Sequence, residues 1–444
     1  MNAEVTPLSR RIAGEVADEL SRRRNDDGSD RSTLLTAADE GAYARKLIAA
    51  GLEAEARRRL REGLEPLDPH SEEDVAREAY ARLFGLGRLQ RYLEDPRITD
   101  VHVQGHDVVW VKHDDGTQER GEWVADSDDE LVELLRTAAA RLGRTERRFD
   151  AANPELNLQL PDGSRLFAIM EVSARPSITI RKHQFELAFL DDLSARGTLD
   201  ERLKAFLRAA VLARKSIVIA GGVGCGKTTL MRALINEIPA QERLVTIEDA
   251  LELGIDRLPD LHPNVVTLEA REPNIEGQGA ISLEQLVRMG LRMDPDRVFV
   301  GEVRGSEVLP MLLAMSQGQD GSMCTIHANS ARGVFRRLQM YAMLPPHRLT
   351  PEDTALLAAN AIDFVVHLDQ HRDRYGGVER YVTSVLEVRD TAGAEVVANE
   401  VFRRGPDGRA VAAGALHEET LVALEQVGFD RTLLTAAGGL GPWS

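Results

Sequence analysis

Residues 216–228 read Ser216-Ile217-Val218-Ile219-Ala220-Gly221-Gly222-Val223-Gly224-Cys225-Gly226-Lys227-Thr228. The apolar start predicts a buried strand, and the glycine-rich part matches the pattern G-x-x-x-x-G-K-[ST]. Glycines let successive backbone N–H groups converge on a polyphosphate, and the helix expected after the loop adds the positive end of its dipole. We expect Lys227 to neutralise the β- and γ-phosphates of ATP and Thr228 to ligate Mg²⁺.

The predicted nucleotide contacts form one continuous stretch of the chain. They are Gly221, Gly222, Val223, Gly224, Cys225, Gly226, Lys227, Thr228 and Thr229. The alternative is a glycine-rich turn between a strand and a helix that binds no ligand. Because strand, loop, Lys-Thr pair and helix follow in the required order, the pattern favours the nucleotide site.

Three further apolar runs end in polar residues. Leu244–Ile247 is followed by Glu248 and Asp249, Val298–Val300 by Gly301 and Glu302, and Ser322–Ile326 by His327. Ligands of doubly wound sheets bind at the carboxyl ends of the strands. There, one carboxylate can hold the water shell of Mg²⁺, a second can orient or deprotonate the attacking water, and a histidine can report on the γ-phosphate.

The bulk composition limits the class of protein. The 444 residues carry 55 basic and 72 acidic side chains, for a formal net charge of -17. This length predicts two or three domains. The acidic balance argues against phosphate neutralisation over the whole surface, so we expect no direct nucleic-acid partner. With only Cys225 and Cys324, a disulfide framework and a four-cysteine zinc site are excluded.

The remaining sequence predicts a division into five segments. Residues 1–90 have helical apolar spacing, and residues 91–183 begin with strand-like alternation at Val101 and Val103 before the helix-capping signature Ser127-Asp128-Asp129-Glu130. We predict a linker at 184–200, the nucleotide-binding domain at 201–413, and a C-terminal helix and tail at 414–444. Strands expected late in that domain include Phe364–Leu368 and Arg380–Val388.

Three motifs beyond the phosphate loop resemble those of the traffic ATPases, the superfamily that powers type II and type IV secretion and type IV pili. Thr246–Ala250 resembles the Asp box, Gly301–Gly305 the modified Walker B motif, and Gly321–Ser330 the His box. The resemblance runs from about Leu86 to Leu386. Within the superfamily, Pro273–Gly277, Leu291–Arg297 and Leu160–Arg165 resemble the branch that serves Tad/Flp pili.

This resemblance implies an α/β fold in which a RecA-like P-loop motor domain follows a helical N-terminal region and a smaller α/β, PAS-like domain. It implies Glu248 as the base for water, Glu302 at Mg²⁺ through a water molecule, and His327 near the γ-phosphate. Arg165 and Arg181, and less directly Arg148, match residues of the preceding domain that close over the nucleotide in relatives. The alternative is that these residues are ordinary arginines on a strand surface.

The resemblance also implies partners. These are five further copies of the chain in a hexamer and a polytopic inner-membrane platform protein, through which a pilin or secreted substrate is moved indirectly. No signal peptide or bilayer-length apolar run is present, so we expect a cytoplasmic protein at the face of the membrane. A type IV secretion or conjugation ATPase that moves effector proteins or DNA is the nearest alternative.

Two alternatives come from other classes. A P-loop small-molecule kinase would need a lid and an acceptor pocket, and no segment suits either. A nucleotide-binding scaffold without hydrolysis would not need both Glu248 and Glu302.

One departure from the family pattern affects the phosphate loop. Cys225 stands where Ser or Thr is usual, beside Lys227 and at a helix N-terminus. A nearby cation and a helix N-terminus can lower a thiol pKa and favour alkylation, but the interpretation that we prefer is that a small side chain simply fits there.

Overall fold

The computed structural model describes residues 5–26, 37–142, 148–182, 188–274, 276–372 and 377–434. Backbone contacts divide the chain into two compact units, residues 1–183 and residues 184–444. Within the described ranges, no helix combines the length and the apolar character that a membrane span requires. The finer five-segment division stays a prediction.

The first unit begins with three long helices that share a core. The apolar positions Ile12, Val16 and Leu20 are buried with Ile48 and Val75, as their helical spacing predicts. The helices of this unit are α1 (Val5–Asp26), α2 (Ala37–Glu62), α3 (Pro69–Phe84), α4 (Gln90–Glu94) and α5 (Asp128–Leu142). The predicted cap of α5 is present, because the N–H of Glu130 donates to Oγ of Ser127 at 3.1 Å.

A six-stranded antiparallel sheet completes the first unit. Its strands are β1 (Ile98–Gln104), β2 (Val108–His113), β3 (Gln118–Gly121), β4 (Glu155–Gln159), β5 (Arg165–Ile169) and β6 (Ser177–Arg181), in the order β3-β2-β1-β6-β5-β4. Residues alternate between buried and more exposed positions along β5 and β6. The alternation shows that one face of the sheet packs on a core and the other faces outward.

The second unit is built on a nine-stranded sheet. Its strands are β7 (Ile217–Gly221), β8 (Leu244–Glu248), β9 (Val265–Glu269), β10 (Arg297–Val303), β11 (Met323–His327), β12 (Phe364–Arg372), β13 (Val378–Ala392), β14 (Glu395–Arg404) and β15 (Ala410–Ala412). Their order is β15-β14-β13-β12-β7-β11-β10-β8-β9. The part from β12 to β9 is parallel, and β13, β14 and β15 extend it as antiparallel strands.

Helices cover both faces of this sheet. They are α6 (Leu190–Ala195), α7 (Glu201–Leu212), α8 (Lys227–Ile235), α9 (Leu283–Gly290), α10 (Val308–Ser316), α11 (Gly333–Ala342), α12 (Pro351–Ala361) and α13 (Glu418–Gln426). Along β7, Ile217 and Ile219 belong to one buried cluster, whereas Val218 and Ala220 belong to the other. A strand buried on both faces reads as a continuous apolar run, which is why the sequence pattern marks β7 so clearly. The fold is α/β, and the P-loop domain has the mainly parallel, RecA-like sheet that was predicted.

The segment predicted as a linker, residues 184–200, contains a helix in the structure. Helix α6 lies within it, and Leu190 and Leu193 are buried in the same core as Leu203 of α7. The polar residues around these leucines suggested a loop, but a short helix needs only one apolar face. Residues 188–200 therefore belong to the packed second unit.

Candidate active site

The phosphate loop joins the end of β7 to the start of α8, and its glycines are required by geometry. Gly224 and Gly226 have φ angles of 75° and 93°, in the left-handed region that glycine adopts without strain. A Cβ atom on Gly221 would lie 2.5 Å from the carbonyl oxygen of Leu368, too close for any other residue. The loop is therefore shaped by backbone freedom and by close approach of β12.

The side chains of the loop are suited to bind a nucleoside triphosphate. Lys227 begins α8 and is 8% exposed. Its Nζ atom donates to the carbonyl oxygens of Gly221 at 3.2 Å and Gly222 at 2.8 Å. Burial lowers the pKa of Lys227. Thr228 and Thr229 are partly exposed in the first turn of the same helix, where a hydroxyl can reach a phosphate-bound cation.

The residues present also fit Mg²⁺ bound together with phosphate. Among the described residues, no group of three or more His, Cys, Asp or Glu side chains is arranged to hold a metal ion by itself. Mg²⁺ commonly takes one or two protein oxygens and completes its shell with phosphate and water. Thr228 and Glu302 are the protein oxygens that would hold it here.

The sheet register brings the predicted strand ends to one edge. Parallel pairing places His327, the last residue of β11, opposite Gly221, the last residue of β7. Strands β10 and β8 follow in order beside β11, so Glu302 and Glu248 lie at the same carboxyl edge. The expectation that these polar groups share an edge is correct.

Five polar side chains then form a continuous chain of contacts. Nζ of Lys227 lies 3.1 Å from Nδ1 of His327, and Nε2 of His327 lies 2.8 Å from Oε1 of Glu302. Arg304 donates to Oε2 of Glu302 at 2.6 Å and to Oδ2 of Asp249 at 3.2 Å. Nδ1 of His327 also lies 3.2 Å from the carbonyl oxygen of Gly221, so this side chain lies between the phosphate loop and Glu302.

Glu248 occupies a different environment from Glu302. It is 2% exposed, and its Oε2 atom accepts the backbone N–H groups of Glu252 at 2.8 Å and Leu253 at 2.9 Å. Gly301 lies against it, since a Cβ there would be 3.0 Å from Cγ of Glu248. The carboxylate is therefore held in a fixed orientation by the loop that follows β8.

Arg304 and Glu307 were not singled out from the sequence. Glu307 is buried, and its Oε1 accepts the backbone N–H groups of Arg304 and of Gly305, the latter at 2.8 Å. This pair of bonds shapes the turn after β10 that carries Arg304 toward Asp249. The sequence signal that could have indicated Arg304 is its charge, which is opposite to that of Glu302 two residues earlier in the motif Gly301–Gly305.

The structure supports the preferred interpretation of Cys225, that of a small side chain that fits the loop. The side chain is 1% exposed, and burial raises the pKa of the thiol, although the charge of Lys227 acts in the opposite direction. A buried thiol loses more from desolvation than it gains from a nearby cation and a helix N-terminus. Cys225 therefore acts as a small packing residue.

The three predicted arginines lie in the first unit. Arg165 at the start of β5 pairs directly with Arg181 at the end of β6, so the two residues point from the same face of the sheet. Arg181 is exposed and Arg165 partly exposed. Arg148 is exposed between α5 and β4. The structure thus brings two of these arginines together.

A P-loop between β7 and α8, with acidic residues and a histidine at the adjacent strand ends, defines a P-loop nucleoside triphosphatase. The chain belongs to the type II/IV secretion system protein family, which matches residues 83–401. It is therefore an ATPase of the secretion ATPase family, and the resemblance to that superfamily is confirmed.

Individual relatives are similar over most of their length. VirB11 of the Brucella suis type IV secretion system is 32% identical over 345 residues, which span 71% of this chain and 92% of that protein. PtlH of the Bordetella pertussis type IV secretion system is 33% identical over 330 residues, spanning 68% and 94%. A Mycobacterium tuberculosis protein named for conjugal transfer is 34% identical over 345 residues, spanning 76% and 93%.

Two solved structures are also similar. The Brucella suis VirB11 ATPase in complex with sulphate has 30% sequence identity, covers 69% of this chain and 97% of its own, and has a TM-score of 0.36. The pilus retraction motor PilT with bound ADP has 18% identity, covers 70% and 84%, and has a TM-score of 0.48.

Proposed function

We propose that this chain is the assembly motor of a Tad/Flp-type pilus or a related secretion machine, and that it hydrolyses ATP as a ring of six subunits. The observation that carries the proposal is the contact of Lys227 with His327, and of His327 with Glu302, across three neighbouring strands. These contacts couple the phosphate loop to the rest of the sheet edge. A motor requires such coupling, because a change at the γ-phosphate must move protein.

Each strand end has a separate role in this proposal. Lys227 and the loop N–H groups bind the phosphates, and Thr228 and Glu302 would hold Mg²⁺, which would supply further positive charge to the site. Glu248 takes the proton of the attacking water, since its orientation is already set by two backbone donors. His327 contacts the γ-phosphate from β11.

Arg304 holds Glu302 in position in the same proposal. Its guanidinium pairs with both Glu302 and Asp249, so one positive charge offsets part of the charge of two carboxylates at the edge where phosphates would bind. The turn between Glu302 and Glu307, which carries Arg304, therefore connects the proposed magnesium ligand to the end of β8.

Arg165 and Arg181 supply the last positive charges when the domains close over the nucleotide. A cation that arrives late stabilises charge that develops in the transition state. This is the step that makes hydrolysis depend on domain position and on assembly of the ring.

The cargo assignment to Tad/Flp pili is supported by the three branch motifs. Of these, Leu291–Arg297 has a structural role: Arg297 is fully buried and binds both carboxylate oxygens of Glu242, at 2.8 and 2.7 Å. Leu160–Arg165 forms the turn between β4 and β5 and delivers Arg165. Pro273–Gly277 falls partly outside the described residues, since Ile275 is not among them.

The second candidate is a type IV secretion or conjugation ATPase. The similarity to VirB11, PtlH and the conjugal transfer protein favours it, because all three are named for those systems. In either case the motor would act at the cytoplasmic face of the membrane through a polytopic platform protein.

A chromosomal Lys227→Ala substitution distinguishes the two candidates. We expect it to abolish surface pili, scored by electron microscopy and by pilin in sheared supernatants. If pili persist while export of a protein or transfer of DNA is lost, the second candidate is correct. A platform gene and a prepilin gene beside the coding sequence would agree with the first outcome.

A further inference from the structure

The antiparallel extension of the sheet reaches the phosphate loop. Strand β12 pairs with β7 up to Leu368, which lies opposite Gly221, and then continues to Arg372 while β7 ends. The sequence predicted that this strand ends at Leu368. Residues 369–372 therefore run beside the phosphate loop, beyond the point where the parallel pairing with β7 ends.

Two side chains from this extension donate hydrogen bonds to loop carbonyl groups. Nε2 of Gln370 donates to the oxygen of Val223 at 3.2 Å, and Nε of Arg380 donates to the oxygen of Gly224 at 2.8 Å. Gln370 and Arg380 are direct partners across β12 and β13, so both point from one face.

The fit along the loop is close. A Cβ atom on Gly226 would lie 3.4 Å from Cδ of Arg380, and one on Gly224 would lie 3.7 Å from Oε1 of Gln370. The aliphatic part of Arg380 thus lies against the loop while its Nε atom makes the hydrogen bond. The two side chains thus contact the loop at Val223, Gly224 and Gly226, which indicates a built arrangement.

Planarity of the peptide bond gives these contacts a consequence for phosphate binding. In a trans peptide the C=O and N–H groups point in opposite directions. A donor on the oxygen of Val223 therefore directs the N–H of Gly224 away from the β12–β13 pair. A donor on the oxygen of Gly224 does the same for the N–H of Cys225. These N–H groups belong to the stretch expected to bind phosphates.

We propose that Gln370 and Arg380 are positioning residues that fix the peptide planes of the phosphate loop for nucleotide binding. They touch the loop backbone and not the reacting atoms. The positive charge of Arg380 also polarises the peptide unit between Gly224 and Cys225 and strengthens the N–H of Cys225 as a donor. The inference rests on the proposed nucleotide site.

The test measures equilibrium binding of ADP and of a slowly hydrolysed ATP analogue to the full chain, with inorganic pyrophosphate as competitor. We expect Arg380→Ala to weaken binding on the order of tenfold and Gln370→Ala about threefold, since the first loses a charge-assisted hydrogen bond and the second a neutral one. Pyrophosphate affinity should fall by a similar factor, because the effect lies at the phosphates. The turnover number at saturating ATP should change less than the affinity.

Matched variants make the result specific. Arg380→Lys keeps the charge and a donor and should recover part of the affinity. Arg403→Gln changes an exposed arginine of β14 and should bind like the wild type. In the double variant the two losses should combine non-additively, because the side chains hold adjacent peptide units.

Two outcomes overturn the inference. Wild-type affinity in Arg380→Ala, while Lys227→Ala loses binding, leaves the nucleotide site intact and removes the positioning role. A fall in turnover number with unchanged affinity places Arg380 in the transition state instead. If Lys227→Ala also binds normally, the nucleotide site itself is wrong. If Arg380→Ala does not fold, Gln370→Ala and Arg380→Lys decide by the same criteria.

Discussion

Strand β7 of the second unit is buried along all five residues, whereas β6 of the first unit alternates between buried and exposed ones. Helices on both faces of the parallel sheet leave its strand ends as the place where polar side chains can meet a ligand. The antiparallel sheet has one outward face, and Arg165 and Arg181 lie on it. Polar groups at the first location are fixed by their neighbours within one unit. In the proposed function, Arg165 and Arg181 act only when the domains close.

The difference between the parallel sheet edge and the outward face of the antiparallel sheet leads us to expect two kinds of variant. Substitutions at the edge of the parallel sheet should act in every assembly state. Substitutions on the outward face of the antiparallel sheet should act only where domains or subunits close.

Lys227→Ala should reduce ATP turnover by about 10³-fold or more, because the phosphate loop loses its side-chain cation at the β- and γ-phosphates. Phosphate release and nucleotide binding measure the effect. Lys204→Ala is the matched control, since Lys204 lies on α7 and pairs with Asp191 and Glu201. Near-normal turnover in Lys227→Ala would contradict the assigned site.

Glu248→Gln should bind ATP normally and hydrolyse it about 10²- to 10³-fold more slowly, because an amide of similar size cannot take the proton. Its amide oxygen can still accept the N–H groups of Glu252 and Leu253, so the fold should be kept. Glu269→Gln is the control: Glu269 ends the adjacent strand β9 opposite Glu248. Weak binding with normal turnover per bound nucleotide would disprove the role as base.

Arg181→Ala and Arg165→Ala should each lower the turnover number about 10- to 100-fold with little change in nucleotide affinity, as expected for a cation that acts in the transition state. Wild-type activity per chain should rise steeply with protein concentration as rings assemble. ATPase rate against concentration, with sizing in ATP and ADP, measures both.

Arg120→Ala, on the exposed edge strand β3, provides the control for this pair. Constant activity per chain in a monomeric sample, together with silent Arg165 and Arg181 variants, would defeat the ring model. It would leave the P-loop assignment unchanged.

Cys225→Ser should retain turnover within about twofold, because the two side chains are similar in size and neither is a required phosphate ligand. Because burial raises the thiol pKa, the thiolate fraction is small at neutral pH and increases only as the pH rises. Mass spectrometry after timed alkylation should show Cys225 and the buried Cys324 modified only on unfolding. Rapid alkylation of folded protein that ATP prevents would restore the reactive-cysteine hypothesis.

The sequence alone determined the features that contiguous residues produce. The P-loop could be predicted because phosphate binding uses successive backbone N–H groups of one segment. Alternation at Val101 and Val103 identified β1, and the polar residues after three apolar runs identified the sheet edge. Each of these depends on local periodicity or on the known geometry of parallel strand ends.

Only the tertiary structure decided which distant residues meet. Arg304 contacts Asp249 because β10 lies beside β8, and Arg380 reaches Gly224 because β12 is the neighbour of β7. The order of strands in a sheet is set by the packing of the whole unit. It therefore cannot be predicted from a local sequence pattern. Burial of Cys225 has the same origin: the sequence shows the nearby charge of Lys227, but the desolvation that outweighs it comes from the surrounding fold.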